Sequence, residues 1–384
     1  MINNRIIKVL LFITVPIISV FLLLPLYGHA QTENTDDIFE AKVVGIIEEK
    51  VLVREDGSEN IQQNLKLLGL TERWQGKEFN FNGIGELDVI NSNVYKVGDH
   101  VLVNHLENSD GQSVYYIVDY IRRSNLYLLA LVFAIIVIAI GKWKGLKALI
   151  SLIGSFTIIM GFIIPNILNG HSPLIIGLIG TLAILVFVIY ITEGFNLKSH
   201  ISVLSIFICL FFTYILSIIF TSVTHLTGMA QEEIMYLVGI GHGTINFKGL
   251  LLTAIIIGTL GVLDDVVISQ VTSARQIIKA NPSLSRGKVF SMTFEVGKSH
   301  LASMVNTLFL AYAGASLPLL ILFSLNQPPF LSFSQVINNE LIATEIVRTM
   351  VGSIGIALAV PISTFLAAYF YSKKHATESV RINN

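Results

Sequence analysis

Long apolar runs are the feature that most limits what this chain can fold into. A helix needs roughly 20 apolar residues to cross about 30 Å of hydrocarbon. Runs of about that length lie near residues 6–27, 125–141, 148–165, 173–191, 201–222, 249–269, 300–324 and 345–371. Only 13% of the residues are charged, against about 25% in an ordinary soluble chain. The sequence therefore predicts a polytopic α-helical membrane protein with about 7 to 8 transmembrane helices.

The first apolar run has two interpretations. Arg5 and Lys8 precede it, and the small residues Gly28 and Ala30 that follow it suit a signal peptidase. The run is longer than the roughly 7–15 apolar residues of an ordinary signal peptide. A retained signal anchor over residues 1–30 is therefore favoured over a cleaved signal peptide, and both interpretations place residues 31–124 outside the cytoplasm.

Lys and Arg are unevenly distributed among the loops, which predicts the orientation. Cytoplasmic loops carry an excess of both residues. With a cytoplasmic N-terminus, the short external loops contain only Lys248 and Arg348, both at the edges of spans. The cytoplasmic set is Arg5, Lys8, Lys142, Lys144, Lys147, Lys198, Arg275, Lys279, Arg286, Lys288, Lys298, Lys373, Lys374 and Arg381. We expect a multi-pass protein of the cytoplasmic membrane, with seven spans over 125–373 and a cytoplasmic tail over 374–384.

Between the first two apolar runs, residues 38–122 change character. Short alternating and β-branched stretches such as "KVLVRE" and "HVLVNH" are typical of strands, and Asp-Gly pairs within 55–58 and 109–112 are typical of hairpin turns. Gly98 and Asp99 suit a tight turn before a strand, because glycine tolerates positive φ and aspartate bonds the local backbone. The segment is predicted to be a small exported all-β barrel or sandwich.

The composition argues against several classes of function. A net charge of −1 provides no surplus of cations for phosphate contacts, so nucleic acid is not expected as a partner. The single cysteine, Cys209, rules out an intramolecular disulfide and a cysteine metal cluster. His100 and His105 are five residues apart and would lie on opposite faces of a strand, so a shared metal is not expected. We expect no cofactor and no metal.

The stretch "GTLGVLDDVVISQ" carries two adjacent carboxylates, Asp264 and Asp265, inside an apolar run. A charged side chain in hydrocarbon is costly and usually marks function. Small or polar residues lie three or four positions from Asp265, namely Gly261, Gly258 and Ala254 on one side and Ser269 on the other. Such stripes line contacts between membrane helices. We therefore expect Asp265 to face the protein interior, in the cytoplasmic third of its span, with Asp264 on its flank.

Two later spans carry further polar candidates. Asn306 lies at a depth similar to that of Asp265, so the two side chains are expected to hydrogen-bond; Asn306 could equally join helices without a role in transport. Glu345 and Arg348 form an i, i+3 pair near the outer boundary. They are interpreted either as an interfacial anchor pair or as an outer gate.

With these residues in place, the C-terminal half resembles the YibE/F-like family of bacterial multispanning membrane proteins. The resemblance rests on "FKGLLLTAIIIGTLGVLDDVVIS", "NTLFLAYAGASLPLLILF" and "NNELIATEIVRTMVGSIGIALAVPIS". The family pattern, roughly G-A-x-x-D, aligns its aspartate with Asp265 and has a hydrophobic residue where this chain has Asp264. The pattern also matches Asn306, Tyr312, Pro318, Glu345, Arg348, Gly352 and Gly355. The resemblance implies a membrane fold, a little-characterised activity, and a homologous second subunit or homo-oligomer as partner.

Two functional classes follow from the sequence. The first is a permease or channel-like component for an ion or small solute in the lipid bilayer, with Asp265, Asn306, Ser269 and Asp264 as the polar site. The second is a non-catalytic scaffold or sensor whose exported β domain binds a partner. An enzyme is not expected, because an intramembrane aspartyl protease needs two aspartates converging from different helices, and no HExxH zinc motif occurs.

Overall fold

A computed structural model describes residues 38–53, 59–84, 94–107, 113–240, 245–325 and 331–382. The predicted N-terminal segment 1–30 and both Asp-Gly turns lie outside these ranges. The chain divides into two compact units, whose described parts fall within residues 38–136 and 137–382. Each unit has a hydrophobic core of its own.

The first unit is an antiparallel sheet of five strands in the order β3-β2-β1-β4-β5. The strands are β1 (Ile38–Val53), β2 (Glu59–Gly69), β3 (Glu78–Asn82), β4 (His100–Glu107) and β5 (Ser113–Tyr120). The prediction of a β-rich segment is confirmed as an antiparallel sheet, whereas its closure into a barrel or sandwich stays a prediction. In the described residues the sheet is open, because the outer strands β3 and β5 lie near each other without pairing.

Alternation along the strands builds the core of the sheet. On β1, Phe39, Ala41 and Val43 are buried, while the residues between them point outward. The buried residues of the neighbouring strands include Leu65, Leu67, Val101 and Val103. The predicted turn before β4 is confirmed, since Gly98 has a φ of 104° and the Asp99 carboxylate accepts a hydrogen bond from the Lys96 amide at 2.8 Å.

The first long helix contains a sharp reversal. Helix α1 (Arg123–Ile158) is interrupted at Lys142, and a π-helical turn (Ile159–Ile163) then leads into α2 (Ile164–Leu168). A Cβ added at Gly145 would overlap the carbonyl of Val137, although residues eight apart in a straight helix are separated by about 12 Å. The chain therefore folds back at Lys142, between the two predicted apolar runs 125–141 and 148–165.

The remaining helices cover the other predicted spans. They are α3 (Pro173–Glu193), α4 (Leu197–Val223), α5 (Glu232–Ile240), α6 (Phe247–Ala280), α7 (Arg286–Ala315), α8 (Leu317–Ser324), α9 (Phe333–Asn338) and α10 (Glu340–Ile382). Local caps begin several of these helices: the side chains of Asn196, Asn246 and Ser285 each accept a hydrogen bond from a first-turn amide.

Five helical segments among the described residues are long and apolar enough to cross a membrane. They are Arg123–Leu168, Pro173–Glu193, Leu197–Val223, Phe247–Ala280 and Glu340–Ser372. Helices α7 and α8 pass the same test together and are bent by 71° at the break between them, which raises the number to six if the pair is one span. The chain is therefore a membrane-embedded protein.

Helices α4, α6 and α10 pack against one another at the centre of the second unit, with α3 beside α6 and α7 against α6 and α10. Glycines allow this close packing. A Cβ added at Gly355 of α10 would overlap Thr213 of α4, and one added at Gly177 of α3 would overlap Thr253 of α6. Close approach through small residues is typical of membrane helices.

Candidate functional site

The two aspartates of α6 are exposed to different degrees. Asp264 is half-buried and Asp265 is exposed, whereas Leu263, Val266 and Val267 are fully buried. The expectation that Asp265 faces the interior is therefore wrong within the single chain. The neighbouring helices pack on the large apolar side chains of α6 and leave Ala254, Gly261 and Asp265 of the small-residue stripe exposed, with no atom of another helix within 4 Å of a Cβ added at Gly261.

Neither carboxylate has a cationic partner among the described residues. In the part of the chain that the structure describes, Asp264 and Asp265 form no ion pair, and the Asp265 side chain makes no hydrogen bond. The Oδ1 atom of Asp264 accepts a hydrogen bond from the backbone amide of Asp265 at 2.9 Å. Ser269, one turn from Asp265, is half-buried and makes no side-chain bond to it.

Asn306 lies elsewhere in the unit. Its exposed side chain lines a mostly apolar groove of about 560 Å³ between α7 and α10, together with Phe309 and Ser353. Met304 and Leu308 of α7 pack into the core, and residues two positions apart on a helix do not face the same way. Asn306 is not hydrogen-bonded to Asp265, although both residues are described, so the predicted pair is not formed.

The predicted charge pair on α10 is confirmed. Arg348 Nη1 lies 2.9 Å from Glu345 Oε1, and the two side chains are only 19% and 17% exposed. Tyr312 of α7 reaches α6, because its hydroxyl lies 3.2 Å from the position of a Cβ added at Gly258. Arg348 Nε is buried and has no partner in the described residues. Helices α6, α7 and α10 also pack against one another in this unit.

Sequence reasoning missed a column of small polar residues on α4. They recur every three or four positions through "SHISVLSIFICLFFTYILSIIFT", which places them on one face of the helix. The members are Ser199, Ser202, Ser205, Cys209, Thr213, Ser217 and Thr221, all at most 1% exposed. From the first to the last the column rises about 33 Å, close to the thickness of the hydrocarbon layer. We call it the α4 hydroxyl column.

The middle of this column is closed by contacts with α6 and α10. Gly355 lies directly against Thr213, and Thr259 of α6 packs on the same glycine. The hydroxyls of Thr213, Ser217 and Thr259 each donate to the carbonyl four residues earlier, at 2.8–2.9 Å. Their donors are therefore satisfied inside their own helices.

A second polar group, also missed, lies at the Lys198 end of the column. Gln270 of α6 is fully buried, and its Oε1 accepts a hydrogen bond from Thr364 of α10 at 3.1 Å. Gln270 Nε2, Ser202 Oγ and Thr293 Oγ1 are buried without partners in the described residues.

These groups share one depth in the unit. Thr213 and Thr259 both pack on Gly355, and Ser202 and Gln270 are each eleven residues from these two threonines, which corresponds to about 16 Å along the helices. Gly297 of α7, one turn from Thr293, packs against Gln270. We call Ser202, Gln270, Thr293 and Thr364 the Gln270 layer.

The chemistry of these groups is polar binding. In the described residues no three His, Cys, Asp or Glu side chains lie close enough together to hold a metal ion. Hydroxyls, an amide and two carboxylates can bind polar solutes or ions, and in an apolar bundle each needs water or a partner.

Comparison with known proteins agrees with the resemblance seen in the sequence. A family model described as YibE/F-like protein matches residues 129–373, more than half of the chain. No curated protein and no solved structure gives a match. The matched region contains the aspartates, the Glu345–Arg348 pair, the α4 hydroxyl column and the Gln270 layer. The chain therefore belongs to the YibE/F-like protein family.

Proposed function

We propose that the chain is a permease or channel-like component that moves an ion or small solute across a membrane. One observation carries this proposal: a helix apolar enough to span a bilayer holds two adjacent carboxylates with no cationic partner in the described chain. A charged side chain in hydrocarbon costs roughly 3 kcal/mol or more, so such groups are normally kept near water, a partner or a solute.

The proposed topology has seven spans after the exported domain. The reversal at Lys142 supports two spans within Arg123–Leu168, and the bent pair α7 and α8 counts as one more. An eighth span is the N-terminal segment if it is retained. The distribution of Lys and Arg then favours a cytoplasmic position for the loop before α4 and for the loop between α6 and α7. This orientation favours the cytoplasmic membrane. In that orientation Asp265 lies in the cytoplasmic third of the apolar run 249–269.

The test is flux in proteoliposomes made with purified full-length protein. Uptake of H⁺, Na⁺, K⁺ and a panel of labelled small solutes is compared for wild type, Asp264→Asn and Asp265→Asn between pH 5 and 8. We expect at least one variant to lose about tenfold or more of the flux, because removal of a group that stabilises the permeating species raises the barrier. Glu295→Gln is the matched control, because Glu295 is an exposed carboxylate on α7. Wild-type flux in both aspartate variants across this pH range would contradict a role of the carboxylates in transport.

A scaffold or sensor is the second candidate, because the sheet is a compact unit with its own core. The two edge strands, β3 and β5, lie near each other, which supports closure into a small, partly open barrel of the kind that binds extended ligands. Cross-linking in cells followed by recovery of the exported domain tests this candidate. Under it, Asp265→Asn lowers partner recovery or thermal stability, and no flux is found even for wild type.

A further inference from the structure

Within the described part of the chain, buried polar atoms without partners lie at both ends of the α4 hydroxyl column. Gln270 Nε2, Ser202 Oγ and Thr293 Oγ1 lie at one end, and Thr221 Oγ1 and Thr344 Oγ1 are toward the other. All five side chains are at most 5% exposed. Buried donors and acceptors are nearly always satisfied in native proteins, by protein or by ordered water. These atoms therefore point to a polar species that enters the bundle at both ends.

Between the two ends, the column provides acceptors at regular steps. The hydroxyls that donate to their own helix keep oxygen lone pairs free to accept hydrogen bonds. Successive members lie three or four residues apart, so each step rises about 5 or 6 Å, and the Cys209 thiol, a weaker acceptor, lies between the hydroxyls of Ser205 and Thr213. A molecule that leaves one member of the column can therefore meet the next before it has lost all of its hydrogen bonds.

The chemistry of the lining favours an uncharged molecule. In the described residues, the members of the α4 hydroxyl column and the Gln270 layer carry no ionisable carboxylate or cation. Of the charges near the ends, Lys198 Nζ lies 2.7 Å from Glu193 Oε2 and Arg348 pairs with Glu345, while Lys248 Nζ donates a hydrogen bond at 3.1 Å to the hydroxyl of Ser222, next to Thr221. A bare ion between them would lack a counter-charge in a region of low dielectric.

We infer that the α4 hydroxyl column, with the Gln270 layer at one end, is the path and recognition site for a small uncharged polar solute, from water to glycerol in size. This inference rests on the proposed transport function and names its substrate class. The contact of Thr213 with Gly355 closes the path, so passage requires α4 and α10 to separate at the central glycine. Pro361, inside α10 and between Gly355 and Thr364, marks a position where that helix can bend.

The experiment uses full-length protein in liposomes and stopped-flow light scattering after an osmotic step, with water and glycerol as the probes. Thr213→Val and Gln270→Leu remove hydrogen-bonding groups with little change of volume. We expect wild type to accelerate at least one of the two permeabilities over protein-free liposomes. We expect each variant to reduce that acceleration about five- to tenfold.

Two further variants separate the path from general damage to the fold. Thr213→Ser restores the hydroxyl and should recover the permeability. Thr272→Val removes a hydroxyl on α6 that donates to Ile268 and lies outside the column, so it should leave permeability unchanged. Wild-type permeability that survives both Thr213→Val and Gln270→Leu overturns the path.

Failure of the inference can be told from failure of the proposed function. Liposomes that pass an ion in an aspartate-dependent way but pass neither water nor glycerol above background overturn the substrate class and leave the permease proposal standing. Liposomes that pass no ion and no neutral solute overturn both.

Discussion

At the scale of single residues, the faces of α6 explain which polar groups are enclosed. Asp265 and Gln270 are five positions apart on one helix, yet Asp265 is exposed and Gln270 is fully buried. Gln270 fits between helices because Gly297 of α7 has no side chain there. Polarity alone therefore does not decide burial here. Gln270 is buried because the residue that faces it, Gly297, is small.

Gly297 gives a direct prediction about packing. Gly297→Ala places a Cβ against Val360 and Gln270, which are both held by helix contacts. Overpacking of this kind costs about 1–3 kcal/mol, so the unfolding temperature in detergent should fall. Gly261→Ala is the matched control, because no atom lies within 4 Å of its added Cβ. If both variants unfold at the wild-type temperature, the predicted clash is wrong. Val360→Ala in the Gly297→Ala background should restore part of the lost unfolding temperature.

Asp119 gives a prediction about pH in the first unit. Its side-chain hydrogen bond with Arg122 holds the pKa of the Asp119 carboxyl below its ordinary value, and the Tyr120 amide adds to the effect. A lowered folded pKa stabilises the fold above the unfolded pKa of about 3.9, and that contribution is lost as pH falls through the folded value.

The measurement is urea unfolding of full-length protein, followed through Trp74 fluorescence in a Trp143→Phe background. Asp119→Asn should be less stable than its parent at pH 7, and the two should converge well below pH 4. If the difference in unfolding free energy between the two proteins stays constant as the pH falls below 4, the Asp119–Arg122 ion pair is not its source.

At the scale of elements, the junction between α3 and α4 is held by charge as well as by a cap. Lys198 and Glu193 pair at 2.7 Å with side chains 10% and 20% exposed, and Asn196 caps α4 through the Ser199 amide. A pair this enclosed stabilises the turn chiefly because either charge alone would be left without compensation.

The Lys198–Glu193 pair therefore predicts a non-additive result. Lys198→Met and Glu193→Gln alone should each cost about 2–3 kcal/mol, at the low end for enclosed pairs because Glu193 keeps some solvent contact. The double variant should be more stable than the sum of the two losses implies. Thermal unfolding of the four proteins in one detergent measures the coupling, and strict additivity would contradict it.

At the scale of the whole molecule, the distribution of Lys and Arg among the loops predicts one orientation of the chain in the membrane. Residues 31–124 are expected outside the cytoplasm and the loop between α6 and α7 inside. The single cysteine is buried, so new cysteines can report on each side without interference.

Labelling of intact cells tests this orientation. In a Cys209→Ala background, Lys50→Cys on the exposed part of β1 should react with a membrane-impermeant maleimide, whereas Lys288→Cys at the start of α7 should react only after the cells are opened. The reverse pattern would invert the topology.

Some features of this protein follow from the sequence because they are local. Run length and the alternation of apolar residues predict the membrane helices and the all-β unit, and i, i+3 spacing predicts the Glu345–Arg348 pair. The family resemblance, which rests on contiguous stretches, is confirmed as well.

Only the tertiary structure decides which helix face meets protein. Lipid and a packed core are equally apolar, so an apolar helix carries no strong periodicity that separates them. The sequence therefore determined the long apolar helices and the polar residues within them. The packing of α4, α6, α7 and α10 decided that Asp265 and Asn306 lie apart on exposed faces, and that the hydroxyls of α4 and Gln270 are enclosed.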